Sequence, residues 1–440
     1  MVQNMGAEQR FLMPIPLQPA IRNAMAKVAE REDRGLPIID FTSGNVGKLP
    51  HYLRLFSKME IEVNTTLPDE LQELSSSISA GLNTSFNPNP LALAYSPAGG
   101  TNSIKRCVLR YFREVHGVPL TDVDMDRVIV TSGGQRCITV SLRSLHPSTK
   151  VFLNRWDYSA VAPIVEEHGG EVVRFNCNED LSPDLKDLEE KVEDEAVLYL
   201  SMPNNPSGYV SARDLEHIAS LMTSRGGGVV WDAPYVFTIL KLGKNKAEFD
   251  KRFSESMITA FQRTSKRYYE GICILSSLSK TCLLAGLRVG FATASTRWIQ
   301  NMSSLIGRED LSSPTSSFII GESVLQRFLV DHSINQWLCK ILANRLTLLL
   351  EEKLPLILPQ NGVFGALYAL LDTGKEDGVA VSERLLDQSG IAVVPGEPFY
   401  GGPVNSVRLS LVASPWMKGD EEWVKNVQRL KKALYAMGLL

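Results

Sequence analysis

The sequence holds no apolar run long enough to span a bilayer, which takes about 18 residues or more. Its N-terminus, Met1-Val2-Gln3-Asn4-Met5-Gly6, lacks the basic-then-apolar pattern of an export signal. No block of lysine and arginine stands out, and 46 basic residues against 49 acidic ones leave a net charge of −3. Neither nucleic acid nor an anionic membrane is therefore an expected partner. Cysteine is scarce, six in 440 residues, without a Cys-x-x-Cys spacing, and the six histidines form no pair at ligand spacing. That scarcity argues against a disulfide framework and a zinc site, so no metal is expected and a reducing, cytoplasmic location is.

What the sequence does have is an ample supply of core. Hydrophobic residues make up 44% and charged ones 22%, the balance of an ordinary globular chain long enough for two domains. From Val128 onward short apolar runs alternate with helical patterns: Val128-Ile129-Val130, Val151-Phe152-Leu153, Val172-Val173, Val197-Leu198-Tyr199-Leu200, Val229-Val230-Trp231 and Ile272-Cys273-Ile274-Leu275. Such alternation predicts an α/β fold, with a mostly parallel sheet covered by helices on both faces. Beyond residue 311 two long helical patterns, three strand-like runs and a terminal amphipathic helix over Glu421–Ala436 suggest a smaller α+β domain. The charged stretch 236–271 reads as one or two exposed helices.

In sheets of this kind ligands collect beyond the carboxyl ends of the strands, and the chemistry-bearing residues cluster there. Lys280 follows the last apolar run in Ser276-Ser277-Leu278-Ser279-Lys280, and Gly286-Leu287-Arg288-Val289-Gly290 closes the segment. A lysine there either snorkels to solvent or has its charge consumed, as in a Schiff base with pyridoxal 5′-phosphate (PLP). PLP needs more than a lysine. Its pyridine nitrogen needs a buried carboxylate, and Asp232 ends its strand as such a partner would; a turn cap is the plainer use. Tyr235, three residues on, can bond the ring hydroxyl or simply pack. Ser132-Gly133-Gly134-Gln135 sits where a strand turns into a helix, so its backbone can cradle a phosphate or merely turn tightly. Tyr158 or Trp156 can stack on the ring. Asn205 stands in the rigid turn Asn204-Asn205-Pro206-Ser207-Gly208 at another strand end, and Arg408 offers a guanidinium for a carboxylate or a surface ion pair.

In this order and spacing the motifs resemble the fold-type-I PLP enzymes, and within them the class I/II aminotransferases of the aspartate aminotransferase kind. The resemblance covers roughly residues 35–437 and implies a PLP-transferase fold. In it, residues 51–310 form the large PLP-binding domain and 311–440 the small C-terminal domain, which residues 1–50 join. It implies that Lys280 holds PLP as an aldimine and then shuttles protons through a quinonoid, with Asp232 on the pyridinium and Tyr235 and Asn205 on the ring oxygen. Gly133, Gly134, Gln135, Ser277 and Arg288 would hold the phosphate, with Tyr158 on the ring. Arg408 would bind the substrate α-carboxylate, near Gly44 and Asn205. Tyr95 resembles a tyrosine that reaches the phosphate of a neighbouring subunit, which implies a homodimer with shared sites.

Two features depart from the family pattern. Gly44-Asn45-Val46-Gly47-Lys48 replaces the usual Gly-x-Pro-Asp-Phe-like loop, and the span from Tyr235 to Lys280 is long. The expected activity is transamination of an amino acid to a 2-oxo acid. The alternative is β/γ-elimination, replacement or cyclisation, including on an S-adenosylmethionine-type substrate. A PLP-binding sensor of a transcription regulator is disfavoured, because residues 1–35 are too few and too weakly basic for a DNA-binding domain.

Overall fold

A computed structural model describes residues 20–42, 69–86, 95–412 and 420–440. The Gly44–Lys48 loop and the Asn- and Pro-rich stretch at 87–90 lie outside the described residues. The strands, in chain order, are β1 (Ile39–Asp40), β2 (Val128–Thr131), β3 (Lys150–Asn154), β4 (Glu171–Phe175), β5 (Val197–Ser201), β6 (Gly228–Asp232), β7 (Leu240–Leu242) and β8 (Ala247–Glu248). They continue with β9 (Ile272–Ser277), β10 (Gly290–Thr293), β11 (Leu356–Ile357), β12 (Val363–Phe364), β13 (Tyr368–Asp372), β14 (Ile391–Ala392), β15 (Val394–Pro395) and β16 (Ser406–Ser410).

The central element is a seven-stranded sheet of order β2-β10-β9-β6-β5-β3-β4, in which β10 alone runs against the others. Strands β2, β5, β6 and β9 are buried along their whole length, which is why their sequences are continuous apolar runs rather than alternating ones. The period-two geometry of a strand still divides their side chains. Val128, Val130, Val229, Trp231, Ile272 and Ile274 face one core, whereas Ile129, Val230, Cys273 and Leu275 face another. The helices Asn102–His116 and Ala212–Ser224 cover the first face, and Gly134–Arg143 and Thr296–Glu309 the second. Ser211 caps one of them, its hydroxyl accepting from the Asp214 N–H at 3.1 Å.

A four-stranded antiparallel sheet of order β11-β13-β16-β15 stands beside this layer. The N-terminal segment joins it: β1 pairs with β14, and the Ser410 N–H donates to the Phe41 carbonyl at 2.9 Å. Phe41 in turn meets Trp423 of the terminal helix edge to face at 5.5 Å.

The stretch 236–271 differs from the expectation of exposed helices alone. Its first part is a hairpin, β7 and β8, that pairs with β12 in a separate three-stranded sheet. Burial explains the difference: Ile239 and Leu240 are wholly buried, and the strand edge offered by β12 pairs with Leu240 and Lys241. Only then does the helix Lys251–Tyr268 begin, capped by Asp250, whose carboxylate accepts from the Phe253 N–H at 3.1 Å. It supplies the crossover that parallel strands β6 and β9 require.

Candidate active site

Strand pairing brings the ends of β5, β6 and β9 together, with Ser201 opposite Asp232 and Asp232 opposite Leu275. Lys280 lies just beyond β9, on the single turn Leu278–Thr281, and is half-buried. Asp232 is buried and accepts a hydrogen bond from the Tyr199 hydroxyl at 2.9 Å. Burial pushes the Asp232 carboxyl up to about 7, against the opposing pull of the Tyr199 donor and the Lys280 charge. A second buried acid, Asp157, accepts from the N–H groups of Tyr158 (2.8 Å) and Ser201 (3.5 Å). Burial holds it well above the usual carboxylate range, and the nearby Asp232 adds to the effect.

An anion cradle forms where β2 turns into the helix Gly134–Arg143. Gly133 takes the left-handed φ of 95°, and a Cβ there would lie 2.5 Å from an Arg288 guanidinium nitrogen. A Cβ on Gly134 would meet the Ser277 hydroxyl at 3.2 Å, and one on Gly290 would fall 2.3 Å from the Gly133 carbonyl carbon. The register explains this closeness: β10 sets Gly290 between Thr131 of β2 and Ser277 of β9. Arg288 is exposed and itself left-handed (φ 56°), and its Nη1 donates to the Ala285 carbonyl at 3.0 Å. A helix N-terminus, a hydroxyl and a guanidinium therefore converge on one spot, the donor set a phosphate needs. Tyr158 joins this rim by donating to Gln135 Oε1 at 2.9 Å.

The opposite wall comes from β16. Arg408 is 1% exposed and lies between Leu370 of β13 and Val394 of β15. Its Nη1 donates to Asn205 Oδ1 at 3.0 Å and its Nη2 to the Thr42 carbonyl at 2.9 Å. The guanidinium lies over the rings of Tyr368 (4.0 Å) and Phe399 (4.7 Å), while its buried Nε has no partner among the described residues. With Oδ1 engaged, the Asn205 amide nitrogen is the group left to donate elsewhere.

Strand runs concealed two members of this site. Tyr199 sits inside Val197-Leu198-Tyr199-Leu200, and Tyr368 opens Tyr368-Ala369-Leu370-Leu371, where a tyrosine reads as core packing. The Tyr368 ring meets that of Tyr235 edge to face at 6.2 Å and lies 4.0 Å from the Arg408 guanidinium carbon. Burial would raise the Tyr368 phenol pKa, but chiefly the Lys280 and Arg408 charges outweigh it and lower it. Burial and the Tyr368 contact raise that of Tyr235 well above the ordinary value. Of the residues expected here, Gly133, Gly134, Gln135, Tyr158, Asn205, Asp232, Tyr235, Ser277, Lys280, Arg288 and Arg408 take part in these contacts. Tyr95 instead stands 84% exposed at the surface of the chain, and Gly44 lies outside the described residues.

The profile of the family "Aminotransferase class I and II" matches residues 63–426. The chain belongs to that family. This aminotransferase is 23% identical over 361 residues to an aspartate aminotransferase of Pyrococcus horikoshii, covering 77% of this chain and 83% of that one. It is 30% identical over 234 residues to histidinol-phosphate aminotransferase 2 of Mannheimia succiniciproducens, covering 53% and 61%. The aspartate aminotransferase of Thermus thermophilus with maleate superposes with a TM-score of 0.75 at 22% identity, over 96% of this chain and 100% of that one. Enzymes of the family depend on PLP, and so does this aminotransferase. Its residues fit the cofactor: side chains at Gly133 or Gly134 would crowd the cradle, and a lysine and a buried acid lie beside it. No helix among the described residues is long and apolar enough to cross a membrane.

Proposed function

We propose that this aminotransferase moves the amino group of an α-amino acid to a 2-oxo acid. The observation that carries the reading is Arg408. A buried guanidinium, steadied by Asn205, Thr42 and two aromatic rings and with an Nε that no described residue engages, suits the α-carboxylate that every such substrate has. Bound PLP supplies the electron sink that lets the α-C–H bond break.

The chain's own residues do the rest. Lys280 anchors the cofactor through Nζ and, once released, carries the proton away from the substrate α-carbon. Asp232, kept in place by the Tyr199 hydroxyl, holds the pyridine nitrogen in its protonated form. A positive charge opposite Asp232 offsets the burial that lifts its pKa, so acid and ring stabilise each other's charged forms. Gly133, Gly134, Gln135, Ser277 and Arg288 bind the phosphate; Tyr158 packs on the ring; Tyr235 and the Asn205 amide hold its oxygen. Among the described residues, 311–412 and 420–440 together with 20–42 form a small domain that closes on substrate and excludes water. Tyr95, exposed in the single chain, reaches into the site of a second copy, so the working unit is a homodimer.

The test is a panel of amino acids mixed with enzyme and 2-oxoglutarate and followed by mass spectrometry. Glutamate formed in step with the matching 2-oxo acid supports transamination. Release of ammonia, a thioether or a cyclised product without glutamate would overturn it in favour of elimination, replacement or cyclisation.

A further inference from the structure

Arg174 stands on β4, at the edge of the seven-stranded sheet, yet its side chain ends against the wall that carries Arg408. Its Nη1 donates to the carbonyls of Asn154 (3.2 Å) and Arg155 (3.3 Å), at and just after the end of β3. It also donates to the Phe399 carbonyl at 3.5 Å. Phe399 lies on the single helical turn Glu397–Tyr400 that follows β15. The Asp157 N–H donates to the same carbonyl at 3.3 Å, so two donors of the seven-stranded side hold one acceptor of the other. Gly401, with a φ of 76°, ends that turn, and a Cβ there would fall 2.2 Å from Arg174 Nε. The guanidinium is therefore laid against bare backbone. Beside it the rings of Trp156 and Tyr400 meet at 4.9 Å. Among the described residues, every hydrogen bond of Arg174 goes to a main-chain carbonyl. An arginine bonded in this way fixes where the chain lies rather than balancing a carboxylate. The residue it holds is the one whose ring centre lies 4.7 Å from the Arg408 guanidinium carbon.

We infer that Arg174 is a positioning residue for the substrate: by holding the Phe399 carbonyl it fixes the Phe399 ring, and through that ring the tilt of the Arg408 guanidinium. The inference rests on the reading of Arg408 as the ligand of the α-carboxylate. Without the Arg174 donors the Phe399 carbonyl keeps one donor, the Asp157 N–H, and the turn 397–401 loses the side chain packed beneath it. Arg408 keeps its bonds to Asn205 and Thr42 and the Tyr368 ring, so it stays in place. What it loses is the second aromatic face that holds its plane. The consequence is selective. An amine without a carboxylate meets the cofactor without using Arg408, whereas an amino acid depends on it. Loss of Arg174 therefore weakens the amino acid and spares both the amine and PLP.

Arg174→Met keeps an unbranched apolar side chain and removes the donors. PLP-loaded wild type and variant are titrated with an amino acid whose α-hydrogen is replaced by methyl, and with the amine that remains when its carboxylate is removed. Displacement of Lys280 is read in each case from the cofactor absorbance. We expect the dissociation constant of the amino acid to rise about tenfold in Arg174→Met, and that of the amine to change by less than about twofold. With the best substrate KM should rise by a similar factor, while kcat changes by less than about twofold. An equal loss for both ligands overturns the inference and assigns Arg174 to support of the fold alone; no loss for either overturns it as well. Phe399→Leu tests the route. Because Arg174 acts through Phe399, the double variant should bind the amino acid within about twofold of the weaker single one, and losses that multiply overturn the inference. Should Arg174→Met not fold, Arg174→Lys replaces it, with the same amino-acid-only loss at about threefold and the same outcomes. If the wild type binds the amino acid no better than the amine, the reading of Arg408 fails, and this inference with it.

Discussion

The two walls of the cleft are built by different means. On the seven-stranded side most contributors sit at the end of a strand or on the turn after it, with Tyr199 inside β5 the exception: Gly133 and Gly134 after β2, Asp232 closing β6, Ser277 and Lys280 at and after β9. On the four-stranded side Arg408 lies in the middle of β16 and Tyr368 opens β13, and they meet only because those strands pair. The first wall is made of turns and the backbone groups they free; the second is made of side chains aligned by register. In the proposed function the cofactor's fixed chemistry falls to the first and the contact with substrate to the second. If that division is real, damage to one wall should leave the function of the other measurable.

Removing the anchor is the severest test. Lys280→Ala should lose the visible absorbance of lysine-bound PLP and essentially all turnover, because anchor and base vanish together. Arg408 and its partners remain, so the variant should still bind the PLP–amino acid adduct added from solution. Normal turnover by Lys280→Ala would end the assignment.

Asp232→Asn strikes the same wall with a smaller loss, on the order of a thousandfold in kcat, since the ring loses its charged partner. It carries a second, opposite consequence for stability. The folded protein holds the Asp232 proton up to about pH 7, whereas an unfolded aspartate releases it near 4. Between those values the folded state binds more protons, so the cofactor-free wild type should lose stability as pH rises from about 4 to 7. The total is on the order of 4 kcal/mol. Asp232→Asn should lack that slope. Parallel urea titrations of both cofactor-free proteins at pH 5 and 8 measure it; identical slopes would mean that Asp232 is charged in the folded protein without its partner.

Arg408→Ala attacks the other wall. A bidentate charged contact contributes about 1.5–3 kcal/mol per bond, so kcat/KM should fall at least about a hundredfold, mostly through KM. The dissociation constant of PLP should stay within about threefold. A large loss of cofactor affinity would show that the walls are not separable. Arg408→Lys should recover little, because an ammonium replaces neither the two hydrogen bonds to Asn205 and Thr42 nor the stacking between Tyr368 and Phe399.

The same division explains what could be read from the amino-acid order. Turn residues announce themselves, because a glycine pair between an apolar run and a helical pattern, or a lone lysine after a buried strand, is unusual wherever it occurs. The parallel sheet was legible for a related reason: strands buried on both faces have to be continuously apolar. Register leaves no such mark. Nothing local to Tyr368-Ala369-Leu370 says that its first side chain ends against the Arg408 guanidinium, and a tyrosine within Val197–Ser201 looks like filler until β5 is laid against β6. The hairpin β7–β8 was missed for the same cause, since its partner β12 lies more than a hundred residues away. Arg408 could be singled out from its own run, but as a carboxylate ligand or a surface ion pair alike, and the resemblance supplied the choice between them.

Tyr199 offers the smallest and sharpest test, because it belongs to the cofactor wall yet is a register residue. It lies two positions before Ser201, which pairs with Asp232, so its hydroxyl reaches across to that carboxylate. Tyr199→Phe keeps the ring in a fully buried position and removes one donor, so the fold should tolerate it. Asp232 then loses a bond that favours its charged form, and burial acts on it with less opposition. The stability slope of the cofactor-free protein should consequently extend to higher pH than in the wild type. In the loaded enzyme a weaker acid partner should loosen the ring proton, reducing kcat about five- to tenfold, the worth of one such hydrogen bond, with KM for the amino acid unchanged. Measuring kcat against pH for the wild type and Tyr199→Phe separates the possibilities. Parallel profiles differing only in height would make Tyr199 mere packing; a profile whose shoulder moves would make it the residue that sets how firmly Asp232 holds the cofactor.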